Sequence, residues 1–178
     1  MKRKAGTFPL PYQPRLPSSA PMNLLPFTNL PVHSPRSFVP AQIDLGDWSQ
    51  IAPLFDRLDA RAPQCQSRAE FERWILDQGE IFAALDQEGS QRYIAMTCHT
   101  DDAGAEKAYL EFVEQIEPRT KPRQFTIAKL FLAHSCRAQL PPARYAVFDR
   151  TARVQVELYR EANVPLETEE ARLAQQYQ

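Results

Sequence analysis

The clearest pattern in the sequence is a stripe of apolar residues at helical spacing, which follows Ser67. Its members recur every three or four positions and are interrupted by one glutamine: Phe71, Trp74, Ile75, Gln78, Phe82 and Leu85, then Tyr93 and Met96. Ser67 and Glu70 have the spacing of a capping box, in which a hydroxyl and a carboxylate accept hydrogen bonds from otherwise unpaired amides. The pattern predicts one helix from Arg68 to about Cys98, a rod about 45 Å long.

A shorter stripe predicts a helix before this one. Asp47 and Gln50 have the spacing of an N-cap residue and its partner in the first turn. The apolar positions that follow are Ile51, Leu54, Phe55 and Leu58. Pro53 lies among them, and we expect it to remove one hydrogen bond or to bend the helix.

A further stripe follows a predicted turn at residues 99–101, with Thr100 or Asp101 as the cap. Its members are Ala105, Tyr109, Phe112, Val113 and Ile116. Because proline lacks an amide donor, Pro118 and Pro122 should end or kink this helix.

The last part of the chain predicts two more helices. Pro142 suits a first helical position, where no amide donor is needed, and it precedes Tyr145, Phe148, Ala152, Val156 and Tyr159. A turn at residues 163–165 should follow, with Thr168 as the cap of a final helix that reaches Gln178 without a stop signal.

These elements predict an all-α fold. No segment alternates with the period of a strand, and five glycines are too few for many hairpins. Long stripes joined by short turns favour antiparallel helices, as a helical hairpin or bundle lobe. Six aromatic residues are interpreted as core between two helices, with a platform for stacking a ligand as the alternative: Phe71, Trp74, Phe82, Tyr93, Tyr109 and Phe112.

The first part of the chain has a different composition. Residues 1–40 contain nine of the 16 prolines and five basic residues but no acidic one, whereas the remainder has 16 basic and 22 acidic residues. We therefore predict a Pro-rich, basic, disordered tail over residues 1–37 and a helical lobe over 38–178. Pro11 and Pro14 fit a P-x-x-P docking ligand, although a simple linker is the preferred interpretation.

Cysteine use and hydropathy predict a cytoplasmic protein. The three cysteines, Cys65, Cys98 and Cys136, cannot all pair with one another, which favours a reducing compartment. The longest apolar run, residues 81–85, is far shorter than the roughly 20 residues of a membrane span. The basic start of the chain lacks the apolar run of a signal peptide, and its prolines disfavour the amphipathic helix of a transit peptide.

Residue chemistry alone indicates no active site. The three histidines, His33, His99 and His134, are not part of a His-Glu-x-x-His sequence, and phosphate-binding glycine loops and serine nucleophile motifs are absent from the sequence. Cys98 and His99 together with His134 and Cys136 would supply four zinc ligands, but buried thiols beside exposed imidazoles are the simpler interpretation. Acidic pairs such as Asp101–Asp102 and residues 167–170 are typical of helix starts and solvated faces. We assign no catalytic, cofactor-binding or metal-ligating residue.

Several stretches in order resemble the N-terminal region of the oligoendopeptidase F group of zinc peptidases, relatives of thimet oligopeptidase. The resemblance extends from Phe38 to Gln178, and the residues that carry it are Phe38–Trp48, Pro53–Asp56 with Arg61, Trp74–Leu85, Arg92–Ile94 with Met96–Asp102, Ala105–Val113 with Ile116–Pro118, and Asn163–Ala174.

The resemblance implies a mostly helical enzyme that cleaves short peptides in a channel, with the N-terminal helices forming part of the channel wall. A full-length member of the family is expected to hold one zinc through His-Glu-x-x-His and a downstream glutamate. No position of this sequence matches those ligands, so we expect no cofactor in this chain, no hydrolysis by it alone, and a lobe truncated at its C-terminus. Expected partners are an oligopeptide substrate, through the full enzyme, or the missing catalytic lobe, with neither nucleic acid nor membrane.

Two other interpretations stay open at this point. The chain would also suit a stand-alone helical module that binds a protein or peptide without enzymatic activity. A small Cys/His metal-binding protein is a third interpretation, which rests on the four cysteine and histidine residues named above.

Overall fold

The structure is a computed structural model that describes residues 36–175. Its helices are α1 (Trp48–Arg61), α2 (Arg68–Cys98), α3 (Ala103–Gln115), α4 (Glu117–Ala133), α5 (Pro142–Leu158) and α6 (Val164–Gln175), with short 3₁₀ helices at Ala62–Gln64, Ser135–Gln139 and Glu161–Asn163. The described residues contain no strand, so the predicted all-α fold is confirmed. Most of the predicted tail over 1–37, with its P-x-x-P motif and His33, lies outside the described residues, and so does the end of the predicted last helix.

The start of each of the first two helices agrees with its predicted cap. Asp47 accepts a hydrogen bond from the amide of Ser49 at 2.9 Å, and Gln50 donates to its other carboxylate oxygen at 3.1 Å. Ser67 Oγ accepts from the amide of Glu70 at 3.3 Å, and the Glu70 carboxylate accepts from the amide of Ser67 at 3.0 Å. Both predicted starts are therefore confirmed. Capping could be predicted from the sequence because it depends only on residues within three positions of each other.

Two predicted caps are wrong. The cap of α3 is Asp102, which accepts from the amides of Gly104 and Ala105 at 2.8 and 3.2 Å, and neither Thr100 nor Asp101 has this role. Helix α6 begins at Val164, and Thr168 lies inside it with its hydroxyl bonded to the Val164 carbonyl. The proline after Val164 does not prevent this, because the first turn of a helix needs no amide donors.

The prolines act largely as expected, except that Pro122 does not end a helix, because it lies inside α4, which continues to Ala133. Helix α1 continues through Pro53, since burial of its apolar face offsets the loss of one backbone hydrogen bond. Helix α3 ends at Gln115, and α4 begins after the single residue Ile116, with Pro118 in its first turn.

Helix α2 is the centre of the fold, with an antiparallel neighbour on either side. Trp74 is fully buried and donates from its indole nitrogen to the carbonyl of Leu58 in α1 at 2.9 Å. The Phe71 ring packs between several aromatic rings, with centroids 5.6 Å from Trp74, 5.7 Å from Phe131 and 4.0 Å from His134. Contacts between α2 and α3 and between α4 and α5 complete the core.

A carboxylate of α2 accepts three of the hydrogen bonds that attach the segment before α1, beside those of Arg36 to Gln87 and of Arg73 to Ser37. Glu80 Oε1 accepts from the amides of Ser37, Phe38 and Val39 at 2.7, 2.8 and 2.9 Å. The Phe38 ring in turn lies under the guanidinium of Arg57 at 4.0 Å. One carboxylate oxygen therefore satisfies three consecutive backbone amides that lie outside regular secondary structure.

We expect the Glu80 contact to make stability depend on pH in the acidic range. Burial works to raise the pKa of Glu80, but the three backbone donors outweigh it, so the pKa lies below its ordinary value of 4.5. A carboxyl with a lowered folded-state pKa stabilises the fold above its unfolded-state pKa, and this contribution is lost as the pH falls through the folded-state value. Glu80→Gln should lower the free energy of unfolding by about 1 kcal/mol at pH 7 and by less at pH 3.

The measurement is urea unfolding of both proteins at the two pH values, followed by circular dichroism. Glu114→Gln, an exposed glutamate of α3, is the matched control and should change stability equally little at both pH values. An equal loss at both pH values for Glu80→Gln would contradict the argument.

Among the described residues, no helix combines the length and the apolar character needed to cross a lipid bilayer.

Candidate functional site

A groove of about 650 Å³ lies between the second half of α2, helix α3 and the start of α4. Its walls combine aromatic, aliphatic and charged side chains: Phe82, Leu85, Asp86, Gly89, Ser90, Tyr93, Ile94, Tyr109, Phe112, Ile116, Glu117, Thr120, Lys121 and Gln124. This mixture of apolar and polar side chains suits a peptide segment, which can both pack and form hydrogen bonds in the groove.

Close packing of α2 against α3 forms the floor of the groove. A Cβ atom at Gly89 would lie 3.0 Å from the Phe112 ring, so the glycine permits this approach of the two helices. Next to it, Arg92 donates to the carbonyl of Ala108 at 2.9 Å and to the Glu88 carboxylate at 2.8 Å. The two helices are thereby held at a fixed register along the floor.

Two tyrosines stand at the α2–α3 side of the groove. The rings of Tyr93 and Tyr109 meet edge to face with centroids 5.6 Å apart. Burial raises the pKa of Tyr109, and the nearby Glu117 carboxylate raises it further, so the phenol stays protonated and can donate a hydrogen bond.

The charged groups of the groove are predominantly acidic. Burial raises the pKa of Glu117, Lys121 opposes this, and the neighbouring Asp86 carboxylate adds to the increase. Lys121 itself forms an ion pair with Glu167 of α6. Since that pairing neutralises Lys121, Asp86 and Glu117 leave the groove suited to a positively charged group beside an apolar one.

The structure divides the predicted aromatic set. Phe71 and Trp74 are buried, as a core interpretation requires. Tyr93 and Tyr109 line the groove, which is the arrangement of the stacking alternative. Phe82 and Phe112 pack in or against the core and also line the groove.

The four cysteine and histidine residues considered as zinc ligands are not brought together. Cys98 and His99 end α2, whereas His134 packs on Phe71 near the start of that helix. At 1.5 Å per residue, Phe71 and Cys98 lie about 40 Å apart along α2. Within residues 36–175, no group of three or more histidine, cysteine, aspartate or glutamate side chains could hold a metal ion.

His134 has a structural role instead. Its Nδ1 accepts from the amide of Cys136 at 3.1 Å, so Nε2 carries the proton and donates to the carbonyl of Ala62 at 3.0 Å. The simpler interpretation of buried thiols beside exposed imidazoles is correct for Cys136 and wrong for Cys98, which is exposed. That interpretation expected exposed imidazoles, and it is also wrong for His134, whose side chain is half-buried.

The acidic pairs have the structural roles that their positions indicate. Asp102 caps α3, Glu167 pairs with Lys121, and Glu169 pairs with Arg172 at 2.8 Å. Sequence reasoning missed the groove, because Asp86 and Glu117 are 31 positions apart and only tertiary packing places them together. Gly89 was no signal for it, because Gly79 lies in the same apolar stripe and a Cβ atom there would meet nothing within 4 Å.

The family model of the Peptidase M3 N-terminal domain matches residues 38–159. The chain belongs to the Peptidase M3 N-terminal domain family. The resemblance to the N-terminal region of thimet oligopeptidase-related peptidases is thereby confirmed. The matched segment of this M3 N-terminal domain includes every residue of the groove, whereas α6 lies beyond it. Neither a curated protein nor a solved structure matches the chain.

Proposed function

We propose that the chain is the N-terminal helical wall of a zinc metalloendopeptidase that hydrolyses oligopeptides and works in the cytoplasm. The match to the Peptidase M3 N-terminal domain carries this proposal. The 178 residues contain no His-Glu-x-x-His sequence, so residues outside them would supply the zinc ligands and activate the attacking water. The role of this chain is to bind and orient the peptide.

The groove supports that role through its shape and charge. Tyr93, Tyr109 and Phe112 offer ring faces and edges against which an apolar peptide side chain can pack. Asp86 and Glu117 can accept hydrogen bonds from a lysine, an arginine or a terminal amine. We therefore propose that peptides with a basic and an apolar side chain close together bind best.

The test combines the chain with the catalytic region of an M3 peptidase from which its own N-terminal domain has been deleted. With zinc and a fluorogenic peptide that contains adjacent phenylalanine and lysine, we expect no hydrolysis by the chain alone and faster hydrolysis by the mixture. Tyr109→Ala should weaken peptide binding by about tenfold, the effect of losing one well-packed aromatic contact.

Leu76→Ala is the matched control, because Leu76 lies on α2 with 51% of its surface exposed and outside the groove. It should bind the peptide as the unmodified chain does. Chelator-sensitive hydrolysis by the purified chain alone would overturn the proposal, and so would unchanged binding by Tyr109→Ala.

The stand-alone interaction module is the second candidate, and the observation that favours it is the groove itself, which residues of α2, α3 and α4 form within this chain. The two candidates differ in the mixing experiment. A module that is independent of the enzyme would bind peptide through the groove but would leave hydrolysis by the catalytic region unchanged.

A further inference from the structure

Helix α5 presents a row of apolar side chains to solvent. The row consists of Val147, Thr151, Val154 and Leu158, and we call it the α5 seam. Its three large members are exposed to 66%, 45% and 67% for Val147, Val154 and Leu158, and Thr151 is also exposed. Spacings of four, three and four residues place all four on one narrow stripe, the spacing by which two helices pair in a coiled coil.

The opposite face of α5 fixes the direction of this stripe. Tyr145 and Ala152 are buried against the body of the protein. The Phe148 ring meets Phe131 of α4 at 4.8 Å, and the ring of Tyr159, directly after the helix, stacks on Phe125 at 4.3 Å. Helix α5 therefore cannot rotate to bury the α5 seam without losing these contacts.

Two opposite charges lie beside the α5 seam, on the same edge. Arg150 and Glu157 are both exposed, and they are seven residues apart, so each lies two helical turns from the other. In the described part of the chain neither has an ion-pair partner, and Arg153, one turn before Glu157, pairs with Asp149 at 2.8 Å instead. The edge therefore carries one free cation and one free anion.

The spacing of these charges fits one arrangement of two identical helices. When two copies of α5 pair antiparallel, Val147 faces the partner's Leu158 and Thr151 faces the partner's Val154. The same register brings Arg150 opposite the partner's Glu157, and the two-fold axis repeats this pair. Parallel pairing would instead place Arg150 near the partner's Gln155, which has no charge.

We propose that the α5 seam binds a second copy of this chain, antiparallel and about a two-fold axis, with two Arg150–Glu157 ion pairs along its edge. Self-complementary charge and the unpartnered apolar row together carry this proposal. A single helix of 17 residues offers a small contact area, so we expect a dimer of low affinity. The proposal is independent of peptide binding, since the α5 seam and the groove share no residue.

The test is the molar mass of the full chain, measured by light scattering at protein concentrations up to about 1 mM. A small interface gives a weak dimer, which forms only at high protein concentration. We expect the mass to rise with concentration from 20.4 kDa towards about twice that value. Leu158→Glu should keep the chain monomeric, because it places a charge in the apolar contact, where Leu158 faces the partner's Val147 at each end of the α5 seam. Leu166→Glu is the matched control, an equally exposed leucine of α6 outside the α5 seam, and it should dimerise normally.

Charge reversal tests the antiparallel register. Arg150→Glu or Glu157→Arg alone replaces two attractive pairs by two repulsive ones and should weaken the dimer by about tenfold. The double variant Arg150→Glu/Glu157→Arg restores opposite charges and should recover most of the affinity. Circular dichroism verifies that each variant keeps its helical content.

Three results obtained with the chain alone would overturn the proposal, and so would a fourth obtained with an added catalytic region. The first three are a monomer at every concentration, a dimer that persists in Leu158→Glu, and a double reversal that is no better than either single one. If the chain dimerises less when the catalytic region of an M3 peptidase is added, the α5 seam is instead a contact between lobes of the enzyme, and the proposal is equally overturned.

Discussion

Replacing Trp74 by alanine is expected to lower the free energy of unfolding by about 4 kcal/mol, the range found when a large buried ring is removed. Trp74 is 0% exposed, and its ring packs on Phe71 at 5.6 Å between centroids. The substitution also leaves the Leu58 carbonyl without the indole donor that lies 2.9 Å away. Because small domains are stable by only about 5–15 kcal/mol, this single change should bring the fold close to its limit.

Urea unfolding followed by circular dichroism measures the effect without relying on the tryptophan signal. Trp74→Phe separates the two causes, since it keeps a ring in the site and removes the hydrogen bond, and it should cost about 1–2 kcal/mol. Leu76→Ala, on the same helix and 51% exposed, should stay within about 0.5 kcal/mol of the unmodified chain. A loss below about 2 kcal/mol in Trp74→Ala would show that the site collapses around the missing ring.

The positions that sequence reasoning assigned correctly depend on neighbours along the chain. The bounds of α2, Arg68–Cys98, agree with the prediction, because the capping box at Ser67 and the apolar period act within a few residues. Pro142 likewise opens α5 as predicted. Thr168 failed as a cap for the same local reason, since a proline in a first turn leaves the helix free to start earlier, at Val164.

The features that escaped prediction are those made by contacts between distant segments. His134 was considered as a metal ligand, but its ring is enclosed by Phe71 and bonded to Ala62, which is 72 positions away in the sequence. Asp86 and Glu117 become neighbours only when α4 folds against α2. Hydrophobic periodicity describes one helix at a time, so it cannot show that His134 contacts Ala62 or that Asp86 lies near Glu117.

The apolar stripes also define only one side of each helix. In α5 the predicted stripe includes Tyr145 and Ala152, and both are buried. Val147, Val154 and Leu158 lie on the exposed face of the same helix and do not belong to the predicted stripe. This exposed apolar row is the surface that the proposed self-association through the α5 seam would cover.

Replacing the buried Asp77 by alanine is the second change with a large expected effect. Asp77 is 2% exposed, and its carboxylate lies 2.6 Å from Arg61 Nη1 and 3.0 Å from Arg73 Nε. Removing one partner of a buried ion pair leaves uncompensated charge in the protein. Since the side chains of Arg61 and Arg73 are 34% and 52% exposed, water screens part of this cost, and we expect a loss of about 2 kcal/mol.

A double-mutant cycle identifies the partner that matters. Arg61→Ala should lower the free energy of unfolding about as much as Asp77→Ala does, because it leaves the buried carboxylate with the more exposed Arg73 alone. Arg73→Ala should lower it by less than about 1 kcal/mol. The double variant Arg61→Ala/Asp77→Ala should cost less than the sum of the single changes, by about 1 kcal/mol, since neither charge then remains unpaired by the other. Asp101→Ala, which removes an exposed carboxylate, is the control and should change stability by less than about 0.5 kcal/mol. Strict additivity of Arg61→Ala and Asp77→Ala would contradict a coupled pair and would assign the cost to packing around Asp77 instead.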